Sequence, residues 1–294
     1  MIDGALLLDK PLGISSNAAL QAAKRLYGAR KAGHAGTLDP LATGLLVVLF
    51  GEATKLAGIF LDQEKEYLAT LRLGETTSTG DAEGEILASR PVATDRKRLG
   101  EVLGRFVGEI EQLPPMYSAL KRGGVPLYRL ARRGKEVERR PRRVRIAEIQ
   151  LTGFEPPRVD LRVRCSKGTY IRTLAENIGE ALGTGAHLRA LRRTASGRFG
   201  VEAAIGLAAL ADLSPDARGS RLLSLGALVE GLPRAELDGG AEARLRNGQT
   251  LQVNGLADGI VAVVRADGAL IGLGCAESGR LRPLRLTQAA DLHR

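Results

Sequence analysis

Residues 33–48 read GHAGTLDPLATGLLVV and join a glycine-rich loop to the start of a long apolar run. The glycines predict that 33–40 is neither regular helix nor regular strand, because glycine adopts backbone conformations that other residues avoid. The run Leu45–Phe50 is continuously apolar, which is typical of a strand buried on both faces. We therefore predict that Asp39 lies on a loop just before a buried central strand, where catalytic residues are often mounted.

The segments on either side of this loop predict a mixture of strands and helices. Strands are predicted at 5–8, 66–73 and 159–165. Helices are predicted at 18–26, 95–106 and 171–182. The last helix carries an apolar stripe, so we expect one of its faces to pack on a core. The stripe consists of Ile171, Leu174, Ala175, Ile178 and Leu182.

The composition predicts a basic globular protein with a polyanionic partner. Among 294 residues, 43 lysines and arginines outnumber 33 acidic residues, so the net charge is +10 and the isoelectric point is about 10.0. Such an excess favours nucleic acid or an anionic membrane surface as the partner. No apolar run approaches the roughly 20 residues of a spanning helix, and the first residues lack the features of a signal peptide. We therefore expect a cytoplasmic protein.

The cysteines and histidines exclude several kinds of site. Cys165 and Cys275 are too few for a disulfide framework or a zinc site, and the three histidines lack metal-ligand spacing. The sequence has neither a P-loop nor a strand–GxGxxG–helix fingerprint. We expect neither a metal nor a nucleotide cofactor.

Nearly all of the net positive charge lies between Lys121 and Arg145, where eleven lysines and arginines stand against two glutamates. Such charge runs are usually solvated or disordered. Here Leu127, Tyr128 and Leu130 are interleaved with arginines, a mixture that suits a segment folding onto RNA phosphates and bases. Both interpretations stay open from the residues alone. A second basic cluster consists of Arg189, Arg192, Arg193 and Arg198.

Asp39 has a structural and a chemical interpretation. An aspartate before a proline is usually only a cap, with the proline in the first turn of a helix. A lone carboxylate disfavours glycosidase-type acid–base pairing, but it allows a carboxylate nucleophile if a cation such as Arg172 keeps it ionised. Arg172 could equally be an ordinary surface arginine. His34 is either a structural loop residue or a platform for a base, and Tyr67 is a core residue by default.

From Pro233 onward the segments are short, β-like and punctuated by glycine. This region is nearly neutral, unlike the basic region before it. We predict a compact C-terminal β-domain of about 60 residues.

Five motifs occur in order along the chain, and together they resemble the TruB family of tRNA pseudouridine synthases. GHAGTLDPLATGLLVV is similar to the family's catalytic-aspartate motif. The other four are LDKPLGISSN (8–17), PPMYSALKRGGVPLY (114–128), SKGTYIRTLAENIG (166–179) and GAHLRALRR (185–193). The resemblance covers essentially the whole chain. Its C-terminal part resembles the PUA domain that follows the catalytic domain in many members.

The resemblance implies an α+β fold with a mixed, mainly antiparallel sheet. It implies a catalytic domain at 1–228 with a basic thumb insertion at about 115–145, and a small β-barrel-like, PUA-like RNA-binding domain at 229–294. The implied activity converts the uridine at position 55, in the TΨC loop of tRNA, to pseudouridine. The reaction uses a carboxylate nucleophile on a flipped-out base. Direct attack by the aspartate and a glycal route both stay open.

The resemblance further implies that the T-arm of tRNA is the partner, that no cofactor and no protein partner are required, and that the protein is a monomer. The alternative is a non-catalytic RNA-binding or tRNA-folding protein. A membrane-surface protein is disfavoured, because the sequence lacks a convincing amphipathic basic helix.

Individual roles follow from the same resemblance. Asp39 corresponds to the catalytic aspartate, Arg172 to its salt-bridge partner and Tyr67 to a catalytic tyrosine that stacks on the flipped uracil. The implied substrate-binding residues are His34, Tyr67, Tyr170, Leu191 and Lys10. Lys10 and Pro11 also match the motif that buttresses the catalytic loop. The implied RNA-binding residues are Arg129, Arg132, Arg133, Arg192 and Arg193.

Overall fold

The computed structural model describes residues 2–118, 120–131, 133–135 and 137–288, so Arg132, a predicted RNA-binding residue, lies outside the described residues. The strands are β1 (Gly4–Lys10), β2 (Ala32–Ala35), β3 (Ala42–Phe50), β4 (Lys65–Leu73), β5 (Glu75–Thr77), β6 (Ile86–Ser89), β7 (Gly108–Gln112), β8 (Lys121–Arg122), β9 (Val125–Pro126), β10 (Arg142–Glu155), β11 (Arg158–Cys165), β12 (Ala186–Ser196), β13 (Phe199–Gly200), β14 (Ile205–Gly206), β15 (Arg234–Leu237), β16 (Leu251–Gln252), β17 (Gly259–Arg265), β18 (Leu270–Glu277) and β19 (Arg280–Leu286).

The α-helices are α1 (Ser16–Leu26), α2 (Ala57–Leu61), α3 (Arg96–Gly104), α4 (Leu127–Ala131), α5 (Ile171–Leu182), α6 (Leu207–Asp212), α7 (Pro215–Gly219), α8 (Leu225–Leu228) and α9 (Gly239–Arg246). Short 3-10 helices lie at Gly51–Leu56 and Val201–Ala203. The strands predicted around 5–8, 66–73 and 159–165 and the helices predicted around 18–26, 95–106 and 171–182 are confirmed within a few residues.

A large mixed sheet forms the body of the protein, in the order β14-β1-β3-β12-β4-β11-β10-β7, with β2 paired to β3 and β13 paired to β12. In the described part of the chain, its neighbours run antiparallel except for the pairs β1–β14 and β3–β12. The predicted fold class, α+β with a mixed and mainly antiparallel sheet, is confirmed.

Strand β3 is the predicted central strand, and it lies between β1 and β12. Every residue from Gly44 to Phe50 is buried. Leu46 and Val48 pack in the core that contains α1, whereas Leu45 and Val47 pack in a second core on the opposite face. A strand covered on both faces keeps no polar side, which explains the continuous apolar run.

The prediction that 33–40 lacks regular structure is wrong for its first residues. Gly33, His34 and Ala35 belong to β2 and pair antiparallel with the end of β3. The polar groups of the backbone gain ladder hydrogen bonds from that strand, which compensates for the poor strand preference of glycine. The irregular loop begins at Gly36, where φ is +88°.

Helix α5 packs on the core side of the sheet. The five residues of its predicted apolar stripe are all buried, which confirms that expectation. They share a core with Tyr67, Ala69 and Leu71 of β4. The helix ends at Gly183, whose left-handed backbone (φ +79°) forms its C-cap. This packing brings the first turn of α5 next to the loop after β2.

A second sheet follows in the order β15-β17-β18-β19-β16, together with α9, which the sequence did not predict. Ala262, Val264 and Leu270 of this sheet lie in the same core as Leu45 and Val47 of β3. The two sheets are therefore packed together through a shared apolar interface. No helix of the described residues is long and apolar enough to span a membrane.

Candidate active site

Asp39 and Arg172 form an ion pair at the point where the loop after β2 meets α5. The Nη2 atom of Arg172 lies 2.9 Å from the Oδ2 atom of Asp39. The arginine side chain is 5% exposed, whereas the aspartate side chain is 40% exposed. The cation thus approaches the carboxylate from within the protein and leaves part of it open to solvent. This pairing is the one that the resemblance implied.

Asp81 is a third member of the cluster, which sequence reasoning missed. Its Oδ2 atom lies 3.6 Å from Nε of Arg172, and both side chains are 5% exposed. Its Oδ1 atom accepts hydrogen bonds from the Thr79 hydroxyl and the Glu83 backbone N–H. The local sequence, TTSTGDAEGE, indicates only a polar turn. Nothing in that pattern points to an arginine 91 positions away.

Two backbone carbonyls also bind the Arg172 guanidinium. Nη1 donates to the Thr79 carbonyl at 3.1 Å, and Nη2 also donates to the Tyr117 carbonyl at the start of the thumb. A planar guanidinium that is held at Nη1, Nη2 and Nε has a restricted orientation. Arg172 therefore presents one defined edge to Asp39.

Burial raises the pKa of Asp39 above its ordinary value, against the lowering effect of the Arg172 guanidinium. The Asp81 carboxylate raises that pKa further, and Lys10 lowers it. Burial and the Arg172 guanidinium therefore act on this pKa in opposite directions. Burial is the larger of the two effects, which the sequence did not predict.

Ser16 fixes the backbone of the residue before Asp39. Its hydroxyl accepts a hydrogen bond from the Leu38 N–H at 2.8 Å and donates one to the Leu38 carbonyl at 3.0 Å. The side chain is buried, with 1% exposure. The Gly13 N–H adds a bond of 2.9 Å to the Pro40 carbonyl. Nothing in the local sequence indicates that Ser16 pairs with Leu38, which lies 22 positions further along the chain.

Lys10 holds the turn that precedes Ser16. Its ammonium donates to the carbonyls of Pro11 and Ile14 at 2.8 and 2.7 Å, and the residue has no exposed surface. Burial lowers the pKa of Lys10 to about 8, although Asp39 raises it. The prediction that Lys10 binds substrate is therefore corrected: an enclosed ammonium supports the loop from behind and has no surface left for RNA.

Gln112 fixes the start of α5 in the same way that Ser16 fixes the loop. Its side-chain amide donates to the Tyr170 carbonyl at 3.2 Å and accepts from the Tyr170 N–H at 2.9 Å. The residue is 1% exposed and is the last residue of β7. It thereby sets the position of Arg172, two residues after Tyr170. Sequence reasoning did not single out Gln112.

Two other predicted pocket residues, Tyr67 and Leu191, lie on the neighbouring strands β4 and β12. Tyr67 is 9% exposed and lies opposite Arg193 in the sheet register. Burial raises the pKa of Tyr67, and the Arg193 guanidinium opposes that rise. Leu191 of β12 lies between Ala42 and Ala69 of the neighbouring strands.

Tyr170 and His34 are both half-buried. Tyr170 directly precedes α5, and burial raises its pKa. His34 lies on β2, and burial lowers its pKa with help from the Arg193 charge. Its Nδ1 atom is buried and has no hydrogen-bond partner among the described residues.

The two predicted RNA-binding arginines of β12 face opposite sides of the sheet. Arg192 is partly exposed and pairs with Asp9, with Nη2 at 2.7 Å from Oδ2. Arg193 is 1% exposed, and its guanidinium donates to the carbonyls of Leu45 and Gly36. The prediction that Arg193 contacts RNA is therefore corrected, because strand alternation turns adjacent residues to opposite faces.

The segment 115–145, which the resemblance implies is a thumb, contains a hairpin of β8 and β9 followed by α4. Leu127 is buried with 5% exposure, so this basic segment has an apolar anchor. Arg129 and Arg133 are exposed. Residues 142–145 of the basic segment extend β10 and pair with β7.

Comparison with known proteins gives matches along nearly the whole chain. The model described as "TruB family pseudouridylate synthase (N terminal domain)" matches residues 24–171. Two C-terminal models of tRNA pseudouridylate synthase B and of pseudouridine synthase II TruB match 172–236 and 233–287. A tRNA pseudouridine synthase B of Burkholderia mallei (strain NCTC 10247) is 52% identical over 292 residues, which cover 97% of each chain. The chain belongs to the TruB family.

Other relatives agree with this TruB assignment. The tRNA pseudouridine synthase B of Azoarcus sp. (strain BH72) is 53% identical over 287 residues, 97% of this chain and 95% of the relative. A solved structure of an H/ACA ribonucleoprotein bound to a substrate RNA containing 2'-deoxyuridine aligns with a TM-score of 0.75 at 27% identity, over 98% of this chain and 86% of the other. The TruB resemblance and the pseudouridine synthase activity it implies are confirmed.

Proposed function

We propose that this protein isomerises the uridine at position 55, in the TΨC loop of tRNA, to pseudouridine, with Asp39 as the nucleophilic carboxylate. One observation carries the proposal: on the loop of the motif GHAGTLDPLATGLLVV, Asp39 is held 2.9 Å from the buried Arg172 while 40% of its side chain stays exposed. A carboxylate with a fixed cation on one side and an open face on the other suits attack on a sugar carbon.

The uridine must leave the base stack before it can react, because its glycosidic bond is otherwise out of reach. Unstacking costs a few kcal/mol of free energy, and stacking on an aromatic side chain offsets about 1–3 kcal/mol of this cost per base. Tyr67, Tyr170, His34 and Leu191 supply this surface. Since Tyr67 is only 9% exposed, its contact with the uracil covers a small area.

The reaction conserves all atoms of the substrate. The C1′–N1 bond breaks and a C1′–C5 bond forms, while C5 loses a proton and N1 gains one. Asp39 assists the first step either by attack on C1′ or by a route through a glycal, in which C2′ loses a proton. Arg172 orients the carboxylate and stabilises its ionised form in both routes.

The thumb and the C-terminal domain bind the RNA around this site. Exposed Arg129 and Arg133 contact phosphates, which contribute affinity and orientation rather than sequence recognition. Arg132 is assigned the same role from the resemblance alone. Arg192, partly exposed beside Asp9, adds a further contact. The T-arm is the part of the tRNA that these groups bind.

The domain organisation is proposed as a catalytic domain at 1–228, a thumb at about 115–145 and a PUA-like domain at 229–294. The start of the second sheet at Arg234 supports this division. The protein acts as a cytoplasmic monomer without a protein partner or a cofactor.

An unmodified T-arm stem-loop transcript tests the proposal, with wild-type protein and Asp39→Asn compared side by side. Carbodiimide labelling and primer extension map pseudouridine at single-nucleotide resolution. We expect a stop at the loop uridine with the wild type only, and similar binding of the transcript by both proteins. Tight binding without a stop in either sample would instead indicate a non-catalytic RNA-binding or tRNA-folding protein.

A further inference from the structure

Arg193 links the two ends of the segment that carries Asp39, although it faces no solvent. Its Nε atom donates to the Leu45 carbonyl at 2.7 Å, and its Nη2 atom donates to the Gly36 carbonyl at 3.0 Å. Gly36 begins the irregular loop, and Leu45 lies in the strand that follows it. One planar guanidinium therefore sets the spacing between the start of the loop and β3.

Two glycines of the loop motif are explained by their approach to Arg193. Gly36 has φ +88°, and a Cβ atom there would lie 3.3 Å from Nη1 of Arg193. Gly44 has φ +100°, and a Cβ atom there would lie 2.2 Å from the Arg193 carbonyl oxygen. Glycine is required at Gly44 by both its conformation and this contact. The side chain of Arg193 thus packs against Gly36 at one end of the loop, and its backbone packs against Gly44 at the other end.

Arg193 is a buried cation that donates to two carbonyls and also forms a side-chain hydrogen bond with Tyr67. Among the described residues, no carboxylate is recorded within ion-pair distance of it, whereas its neighbour Arg192 pairs with Asp9. Burying a charge costs free energy unless its donors are satisfied. Because no acidic partner neutralises Arg193, its positive charge acts on the groups around it.

The charge of Arg193 lowers the pKa of three residues of the site, His34, Tyr67 and Lys10. For His34, burial lowers the pKa and Arg193 lowers it further; Arg193 is the charged group that acts on this imidazole. For Tyr67, burial raises the pKa and Arg193 lowers it. Arg193 thus favours a neutral imidazole, which keeps one ring nitrogen free to accept a hydrogen bond.

We propose that Arg193 is a positioning residue for the pseudouridylation reaction: its guanidinium ties Gly36 to Leu45 and thereby holds the loop on which Asp39 approaches the substrate. It acts through the loop, since a residue with 1% exposure does not touch RNA. The expected effect on the reaction rate rests on the proposed function. The expected effect on the order of the loop does not, because it can be measured without substrate.

The test compares Arg193→Met, Arg193→Lys and the control Arg162→Met. Arg162 lies on β11 with an exposed side chain, so its variant removes an arginine from the same sheet without touching the loop. The measurements are the single-turnover rate at saturating protein, the Kd for the stem-loop, amide hydrogen exchange over 36–44, and the NMR titration of His34.

We expect Arg193→Met to slow the single-turnover step about 100-fold, because a displacement of about 1 Å in a reacting group costs that much. The Kd stays near that of the wild type, exchange over 36–44 is faster, and His34 titrates at a higher pH. Arg193→Lys keeps the charge but lacks the planar fork that reaches both carbonyls. It therefore loses rate while His34 titrates as in the wild type. Arg162→Met matches the wild type throughout.

A wild-type rate in Arg193→Met overturns the inference, as does a loss of affinity that accounts for the whole loss of rate. If Arg193→Met does not fold, Gly36→Ala perturbs the same contact from the loop side without uncovering a buried charge. A wild-type rate in that variant also overturns the inference. If the wild type is inactive on the stem-loop, the proposed function fails. The role of Arg193 in ordering the loop can still be tested, because amide hydrogen exchange over 36–44 needs no substrate. Wild-type exchange in Arg193→Lys would then contradict this role.

Discussion

The Nη2 atom of Arg172 lies 2.9 Å from the Oδ2 atom of Asp39, and the same guanidinium lies 3.6 Å from Asp81. One buried cation therefore serves two carboxylates, of which only Asp39 is open to solvent. The charge of Asp81 raises the pKa of Asp39, so the second carboxylate makes the first harder to ionise. This arrangement orients Asp39 strongly, at some cost to its ionised form.

Asp81→Asn should shift the acidic limb of the profile of kcat/KM against pH toward lower pH. Burial raises the pKa of Asp39 above its ordinary value, so wild-type kcat/KM rises with pH through a limb above the usual carboxyl range. Asparagine keeps the turn but removes the negative charge that raises this pKa. A pH profile of kcat/KM for both proteins measures the shift. If the acidic limb of the variant stays at the same pH or shifts to higher pH, the charge of Asp81 does not raise the pKa of Asp39.

Asp39→Asn should gain stability relative to the wild type as the pH rises. Between the ordinary pKa of about 3.8 and the raised pKa of the folded protein, the folded state keeps a proton that the unfolded state has lost. The free energy of unfolding of the wild type therefore falls as pH increases through this interval. The variant lacks this carboxyl, so the difference between the two proteins grows. Urea unfolding from pH 3 to 7 measures it, and a constant or shrinking difference would contradict the raised pKa.

Ser16→Ala should slow the reaction, whereas Ser15→Ala should not. Ser16 bonds both polar groups of the Leu38 backbone in a buried place, while Ser15 caps α1 through the Ala18 N–H. Loss of Ser16 leaves buried partners unsatisfied at about 1–3 kcal/mol each, and displacement of the loop slows turnover by roughly 10- to 100-fold. Loss of the Ser15 cap costs about 1 kcal/mol of stability.

Thermal unfolding and single-turnover rates separate these two serine variants. Both should unfold at a lower temperature than the wild type, and only Ser16→Ala should lose rate. Equal rates in the two variants would mean that the hydroxyl of Ser16 stabilises the fold without orienting Asp39.

Replacing Arg129 and Arg133 with alanine should weaken RNA binding and flatten its dependence on salt. Each lost phosphate contact lowers the slope of log Kobs against log salt by about 0.7–0.9. Filter binding of the stem-loop at several salt concentrations gives the slope, with Arg162→Ala as the exposed control. An unchanged slope in the double variant would show that this part of the thumb is only a solvated surface.

Local patterns were sufficient for the elements whose burial is visible in their own residues. The apolar run Leu45–Phe50 predicted a strand covered on both faces, and the stripe of α5 predicted a helix with one buried face. Both predictions depend on periodicity, which follows directly from backbone geometry. The loop position of Asp39 was predicted from the same stretch, apart from the three residues that join β2.

Predictions failed where the decisive partner came from another part of the chain. The sequence shows Arg192 and Arg193 as equivalent members of one basic cluster. In the sheet, Arg192 pairs with Asp9 at the surface, while Arg193 is enclosed beneath the loop. Lys10 is likewise a charged residue whose complete burial has no local signal.

The sequence by itself determined the α+β fold and the family, and it singled out Asp39 as the candidate nucleophile, because residue order and short-range spacing carry this information. Only the tertiary structure decided which groups act on that carboxylate. Asp81, Ser16 and Gln112 reach the site across 22 to 91 positions of chain through hydrogen bonds and an ion pair. Such contacts depend on how strands and helices pack, and packing is set by the whole chain rather than by any one segment of it.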